Sequence, residues 1–194
     1  ANVTERTFAL WCKDIRNIVT TEDLDSFVKV TLIPTVNDWK LDNKSNFLRL
    51  GLNSMQQYRI KFILGKITAY VDALRLGKTT VDDLTSYTQT AVEIEHIMPQ
   101  TCNDKGMYGM NEEEFSTYIN RLGNLTLLEN SINKSIHNDV YANKSIAYKQ
   151  SKFYLTSSLS SLVNQGQDTA INRTNLLLSA WPDWNKQSIE ARQE

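Results

Sequence analysis

The spacing of apolar residues changes character at residue 91. Before it, apolar positions recur every three to four residues, as in helices that bury one face. Trp11, Ile15, Ile18 and Val19 predict a helix over residues 4–19, with Thr4 or Thr7 as its cap. Thr21, Phe27, Val28 and Val30 predict a second, shorter helix, and Pro34 predicts a break after it. Residues 35–53 are polar, with scattered anchors at Trp39, Leu41, Phe47 and Leu48. The strongest repeat spans residues 54–76, from Met55 through Ile60, Phe62, Ile67 and Tyr70 to Leu74, and Gly77 is placed to end it.

From residue 91 the period falls to two. Ala-Val-Glu-Ile-Glu-His-Ile-Met reads as a strand stopped by Pro99. A loop follows over 100–111, then a helix over 112–121, then a second strand, Gly123-Asn-Leu-Thr-Leu-Leu-Glu. Asn130 reads as the N-cap of a helix running to about 137. Helical spacing returns over 139–164 and again from Thr174 to Gln193, interrupted at Pro182. The expected fold is mainly α with a small strand–strand–helix insert, hence α+β. It falls into three parts: a helical segment 1–88, the insert 89–140, and a helical tail 141–194 packed on the insert. Trp11, Phe62, Tyr70, Trp181 and Trp184 lie at helical spacing and are expected in the core.

Composition narrows the picture little. The chain has 194 residues, 41% hydrophobic and 22% charged, as in ordinary globular proteins. No apolar run is long enough for a transmembrane helix, so no membrane partner is expected. The start lacks both a signal-like apolar run and an initiator Met, so the chain reads as a piece of a longer one. Cys12 and Cys102 form no CxxC pair, and a reducing cytoplasmic setting is expected. Net charge is −1, but its distribution is uneven. Residues 58–78 carry five cations against Asp72, and residues 121–152 carry five against Glu129 and Asp139. Between them, residues 101–120 are acidic. Such stripes fit either solvated helix faces or a groove for a polyanion.

The candidate chemistry lies in the insert. The two histidines, His96 and His137, both fall there. Glu95-His96 closes the first strand and Asn124 opens the second. Asn133 and His137 are four apart on the predicted helix and share a face. Carboxylate, amide oxygen and imidazole are donors that a divalent cation takes. Adjacent strand residues point to opposite faces, so Glu95 and His96 meet one site only if the strand twists, bulges or ends there. Pro99 makes an ending the expectation.

Glu95-His96-Ile97-Met98-Pro99-Gln100, Arg121-Leu-Gly-Asn124-Leu-Thr-Leu-Leu and Asn133-Lys134 together resemble an HNH, or ββα-metal, endonuclease. The wider pattern is most similar to the C-terminal HNH module of GmrSD-type modification-dependent restriction and phage-defence nucleases. It takes in Lys144, Tyr148 and Ser151, then Trp184, Ile189 and Arg192, and covers residues 55–194. Asn133 stands where many HNH relatives carry His. The resemblance implies metal-dependent hydrolysis of DNA phosphodiester bonds, by nicking or double-strand cleavage, with Mg²⁺ or Mn²⁺. It implies His96 as general base in a catalytic set with Asn124 and Asn133. Glu95, Asn133 and His137 would hold the cation, and Arg121, Lys134 and Lys144 would meet the nucleic acid. A nucleotide-hydrolysing sensor domain, on the same or a partner chain, is the implied partner; no GxxxxGK[ST] occurs here. A non-catalytic DNA-binding or docking module of HNH-like fold, and an RNase, are the competing expectations.

Overall fold

The computed structural model describes residues 5–38, 44–81 and 83–194, so the Thr4 cap and the Trp39 and Leu41 anchors lie outside the described residues. The chain divides into two compact units, Ala1–Phe47 and Leu48–Glu194.

In the first unit, α1 (Glu5–Ile15) ends four residues sooner than the apolar stripe suggests, and Val19 is 87% exposed beyond it. Helix α2 (Thr21–Phe27) starts on a capping box, in which Thr20 and Asp23 satisfy each other's backbone N–H groups. The break expected at Pro34 does not occur. A π-helical turn (Val28–Leu32) leads straight into α3 (Ile33–Asp38), which places Pro34 in its first turn. The wider π turn, closed by Ile33 N–H donating to Val28 O, carries the helix past the residue that lacks an N–H. Helix α4 (Lys44–Phe47) closes the unit.

The second unit is built around α5 (Gln57–Arg75), which ends as expected with Gly77 at φ 69°. Ile60, Leu64, Gly65, Thr68 and Ala69 face inward. Phe62 and Tyr70, expected in the core, are 50% and 54% exposed. Tyr58, Phe62, Gly65 and Ala69 share one helical stripe, of which only the two small residues are buried. Small residues win the inner face because other elements approach closely: a Cβ on Gly65 would sit 3.2 Å from Thr88. Helix α6 (Thr85–Thr88) supplies that neighbour.

Strands β1 (Val92–His96) and β2 (Leu125–Glu129) pair antiparallel, with Val92 opposite Glu129 and His96 opposite Leu125. One face of this sheet, with Val92, Ile94, Leu125 and Leu127, packs on Ile60, Leu64 and Phe153. The other face carries Leu128 into a second cluster with Ile97, Tyr141, Tyr148 and Trp184. Between the strands, α7 (Glu112–Tyr118) is capped by a reciprocal Asn111–Glu114 box. After β2 come α8 (Asn130–Ile136), α9 (Tyr141–Tyr148), α10 (Tyr154–Ser157), α11 (Ala170–Asn175) and α12 (Lys186–Gln193). The helix expected from Thr174 to Trp184 is replaced by α11 and a non-helical stretch that turns Trp184 into the core. The architecture is therefore α+β, mainly helical around one small antiparallel sheet.

The Leu-Gly-Asn turn before β2 is locked from the C-terminus. A Cβ on Gly123 would lie 2.2 Å from the Ile189 carbonyl, so only glycine lets α12 pass. Arg192 donates to the carbonyls of Gly123 and Leu125, both at 2.8 Å, and Trp184 donates to Asn124 at 2.9 Å.

Candidate functional site

A cavity of about 330 Å³ opens where β1 ends. Leu52 and Gln57 line it from the α5 side of the sheet. Asn133, Lys134, His137, Asn138 and Lys144 line it from the other side, with Glu95, His96 and Gln100 between. His96 is the last residue of β1. The cavity wraps around the strand end, so Glu95 and His96 reach it from opposite faces of the pleat without a bulge.

His96 is 9% exposed. The Gln100 amide approaches Nδ1 at 3.0 Å, and Nε2 lies 3.4 Å from Asn120 Oδ1. The same amide is 3.4 Å from Nε2, and in the tautomer protonated at Nε2 the ring donates to Asn120 while Nδ1 accepts from Gln100. Burial lowers the imidazole pKa below its ordinary value. The Asn120 contact opposes that shift and the Lys144 charge adds to it. The ring is thus neutral at neutral pH, the form a base needs.

Glu95, on the opposite face, is almost wholly buried. Its Oε1 accepts from Lys144 Nζ at 2.7 Å and from the Tyr148 hydroxyl at 2.9 Å. Lys144 also donates to the His96 carbonyl at 2.7 Å. Burial, and then Glu95 itself, hold the Tyr148 pKa well above the ordinary range, so the phenol stays a donor. Lys144, expected at the nucleic acid, is only 2% exposed. A strand-end carboxylate removed from water needs a counter-charge, and Lys144 supplies it.

Two features of α8 differ from expectation. Asn130 does not cap it: Glu129 holds the cap position, and the Asn130 backbone N–H continues the ladder to Ala91 O at 2.9 Å. The Asn130 amide instead donates to Glu93 Oε1 at 2.8 Å, and Asn133 donates to Glu93 Oε2 at 2.6 Å. His137 lies just past the helix at φ 45° and ψ −140°, a positive-φ conformation that is costly outside glycine. It is exposed, yet still lines the cavity beside Asn133.

The remaining candidates separate. Asn124 is fully buried and does not line the cavity. Its Oδ1 accepts from Met98 N at 2.8 Å and from Trp184, and its Nδ2 donates to Ile119 O at 2.8 Å. It braces the turn that follows His96. Lys134 is exposed at the rim and makes no ion pair among the described residues. Arg121 lies outside the cavity, over the Tyr118 ring at 4.6 Å, with Nη1 3.9 Å from Glu190 and Nη2 donating to Leu48 O.

Sequence reasoning missed Glu93, Gln100, Asn120 and the role of Tyr148. Two of these carry a signal in retrospect. Glu93 is two residues from Glu95 on the same pleat face, and Tyr148 is four residues from Lys144 on one helix. Nothing local marks Asn120.

Among the described residues, no group of three or more His, Cys, Asp or Glu side chains is placed to hold a metal ion. The cavity wall does carry three candidate donor side chains. Glu95 keeps Oε2 free of any described hydrogen bond, and the Asn133 amide turns its nitrogen to Glu93, leaving Oδ1 unspent. His137 adds an imidazole at the same wall. Carboxylate, amide oxygen and imidazole are donors that a divalent cation takes when water completes its shell. No described helix is long and apolar enough to cross a membrane.

Among protein families, the one described as "GmrSD restriction endonucleases, C-terminal domain" matches residues 37–194. No curated protein and no solved structure matches the chain.

Proposed function

The chain belongs to the family of GmrSD restriction endonuclease C-terminal domains, with the nuclease role that implies, and we propose that it is a metal-dependent HNH endonuclease cleaving DNA. The observation that carries the proposal is the meeting of a buried, neutral His96 with Glu95 and Asn133 in one cavity at a strand end. The three-part division of the sequence then takes a functional form, with residues 89–140 as the ββα nuclease core. In this reading the implied sensor lies in another domain, and the setting is cytoplasmic.

His96 takes a proton from the attacking water at Nδ1. Gln100 donates to that lone pair here, so it marks the position the water occupies and must yield to it. Glu95 Oε2, Asn133 Oδ1 and His137 would hold the cation. When bound, the cation supplies charge neutralisation at the scissile phosphate and at the leaving oxygen. Lys144 and Tyr148 orient Glu95, and Asn124 braces the turn behind His96. Lys134, free at the rim, meets a phosphate of the strand.

Supercoiled plasmid incubated with Mg²⁺ or Mn²⁺ should be nicked or linearised, EDTA should stop the reaction, and structured RNA should persist. His96→Ala should lower the rate by on the order of 100-fold or more while DNA binding persists. Cleavage by that variant at the wild-type rate would remove His96 from the mechanism. Degradation of RNA in preference to DNA would transfer the reading to an RNase.

A further inference from the structure

Asn120 has a second neighbour besides His96. It lines a pocket of about 560 Å³ on the other side, together with Arg49, Asn53, Ser54, Tyr118 and Arg121. We propose that this pocket is a phosphate subsite that grips the nucleic-acid strand one side chain away from the base. The proposal rests on the nuclease reading only in taking nucleic acid as the ligand.

Three observations carry it. No carboxylate lines the pocket, whereas two guanidinium groups and two amides do. Part of the donor set is unspent. Arg49 is exposed and makes no ion pair or hydrogen bond among the described residues, as does the Asn53 side chain. Arg121 Nε is buried without a partner among the described residues, while its Nη2 already donates to Leu48 O. The exposed Arg49 guanidinium presents the open fork of donors that phosphate oxygens suit. The floor is also rigid. Gly51 bridges to Arg121, Leu52 N donates to Asn120 O at 2.8 Å, and Leu122 N donates to Leu50 O at 2.7 Å. A Cβ on Gly51 would meet the Asn120 carbonyl at 2.1 Å, so the loop bearing Arg49 and Asn53 is pressed directly onto the segment bearing Asn120 and Arg121.

Charge favours an anion but not strongly. Glu190, 3.9 Å from Arg121 Nη1, offsets part of that guanidinium. Arg49 supplies the excess, so it is the residue to change. The Ser116 and Thr117 hydroxyls at the wall both donate to Glu113 O and contribute surface rather than donors.

The test is binding of a fluorescent DNA duplex to the whole chain in EDTA, where no cleavage occurs, across a salt series. Arg49→Ala should weaken binding several-fold and reduce the slope of log affinity against log salt by about 1, with Arg49→Glu weakening it further. Asn53→Asp, which adds a negative charge without disturbing the Gly51 bridge, should weaken binding in the same direction. Unchanged affinity and slope in the Arg49 variants would overturn the subsite while leaving the plasmid-cleavage result as it stands. A reduced slope in a chain that never cleaves plasmid would support the subsite and overturn the nuclease reading. Competition by inorganic phosphate or a mononucleotide, lost in Arg49→Ala while duplex affinity and slope hold, would assign the pocket to a free anion and overturn its assignment to the strand.

Discussion

Glu93 and Glu95 are two residues apart on one face of one strand, and the fold treats them oppositely. Glu93 is half-buried and takes two neutral amides, from Asn130 and Asn133 of α8. Glu95 is 5% exposed and takes an ammonium and a phenol, from Lys144 and Tyr148 of α9. The difference follows depth. A carboxylate still touched by water needs only its geometry fixed, and amides do that without altering the charge of the site. A carboxylate removed from water must be neutralised as well. Each arrangement spends part of a group and leaves the rest to the cavity, Oδ1 of Asn133 in one case and Oε2 of Glu95 in the other.

The buried half of the comparison should break hardest. Lys144→Met leaves Glu95 buried without its counter-ammonium and held by Tyr148 only, and unfolding by urea should show a loss of about 3–5 kcal/mol. Adding Glu95→Gln removes the orphaned charge and should recover most of that loss. Tyr148→Phe, with one charge-assisted hydrogen bond gone, should cost roughly 1.5–3 kcal/mol. A Lys144→Met chain as stable as the parent would mean that the pair does not hold Glu95 in solution.

The amide-held half should give way more gently. Asn130→Ala and Asn133→Ala should each cost roughly 1 kcal/mol, since each removes one hydrogen bond at a half-exposed site. Their metal responses should differ. Asn133→Ala should be inactive at low Mg²⁺ and partly rescued by high Mn²⁺, whereas Asn130→Ala should respond as the parent does. Asn133→Asp and Asn133→His should keep measurable cleavage, the latter shifted toward softer cations. Identical metal curves for the two alanine variants would reduce Asn133 to a brace for Glu93.

The smallest expected effect is a shift in the titration of His96, where both faces of the strand end meet. Because burial lowers its folded pKa, the ring contributes stability that is fully present above the unfolded value of about 6.5 and is lost as pH falls below it toward the folded value. The acid limb of kcat/KM should therefore fall below pH 6.5. Asn120 favours the protonated ring, so Asn120→Ala should move that limb lower still. An acid limb above 6.5 in the parent chain would contradict a desolvated base.

Much of the frame was legible in one dimension because it depends on local period. The switch from helical to alternating spacing at residue 91 marks β1. The Leu-Thr-Leu-Leu run marks β2, and Gly77 marks the end of α5. Glu95, His96, Asn133, Lys134 and His137 were all nameable from residue type and spacing, and the fold brings all five to one cavity.

Burial and partnership were not legible, because they depend on what arrives from elsewhere in the chain. Lys144 reads as a surface cation until α9 is laid against β1 and its ammonium meets Glu95. Phe62 reads as core until Gly65 and Ala69 are seen to take the inner face of α5. Pro34 reads as a stop until the wider turn before it carries the helix through. Asn124 illustrates both sides. Its place in Leu-Gly-Asn-Leu picks it out in the sequence, yet its role is set by Trp184, Met98 and Ile119, which meet it only in the folded chain. The sequence by itself determined which residues carry charge, proton affinity and metal-binding oxygen, and the order of elements that present them. Tertiary structure decided which of those groups keep a free valence, because a donor or acceptor is spent or spared only by the neighbour that packing brings within three ångströms.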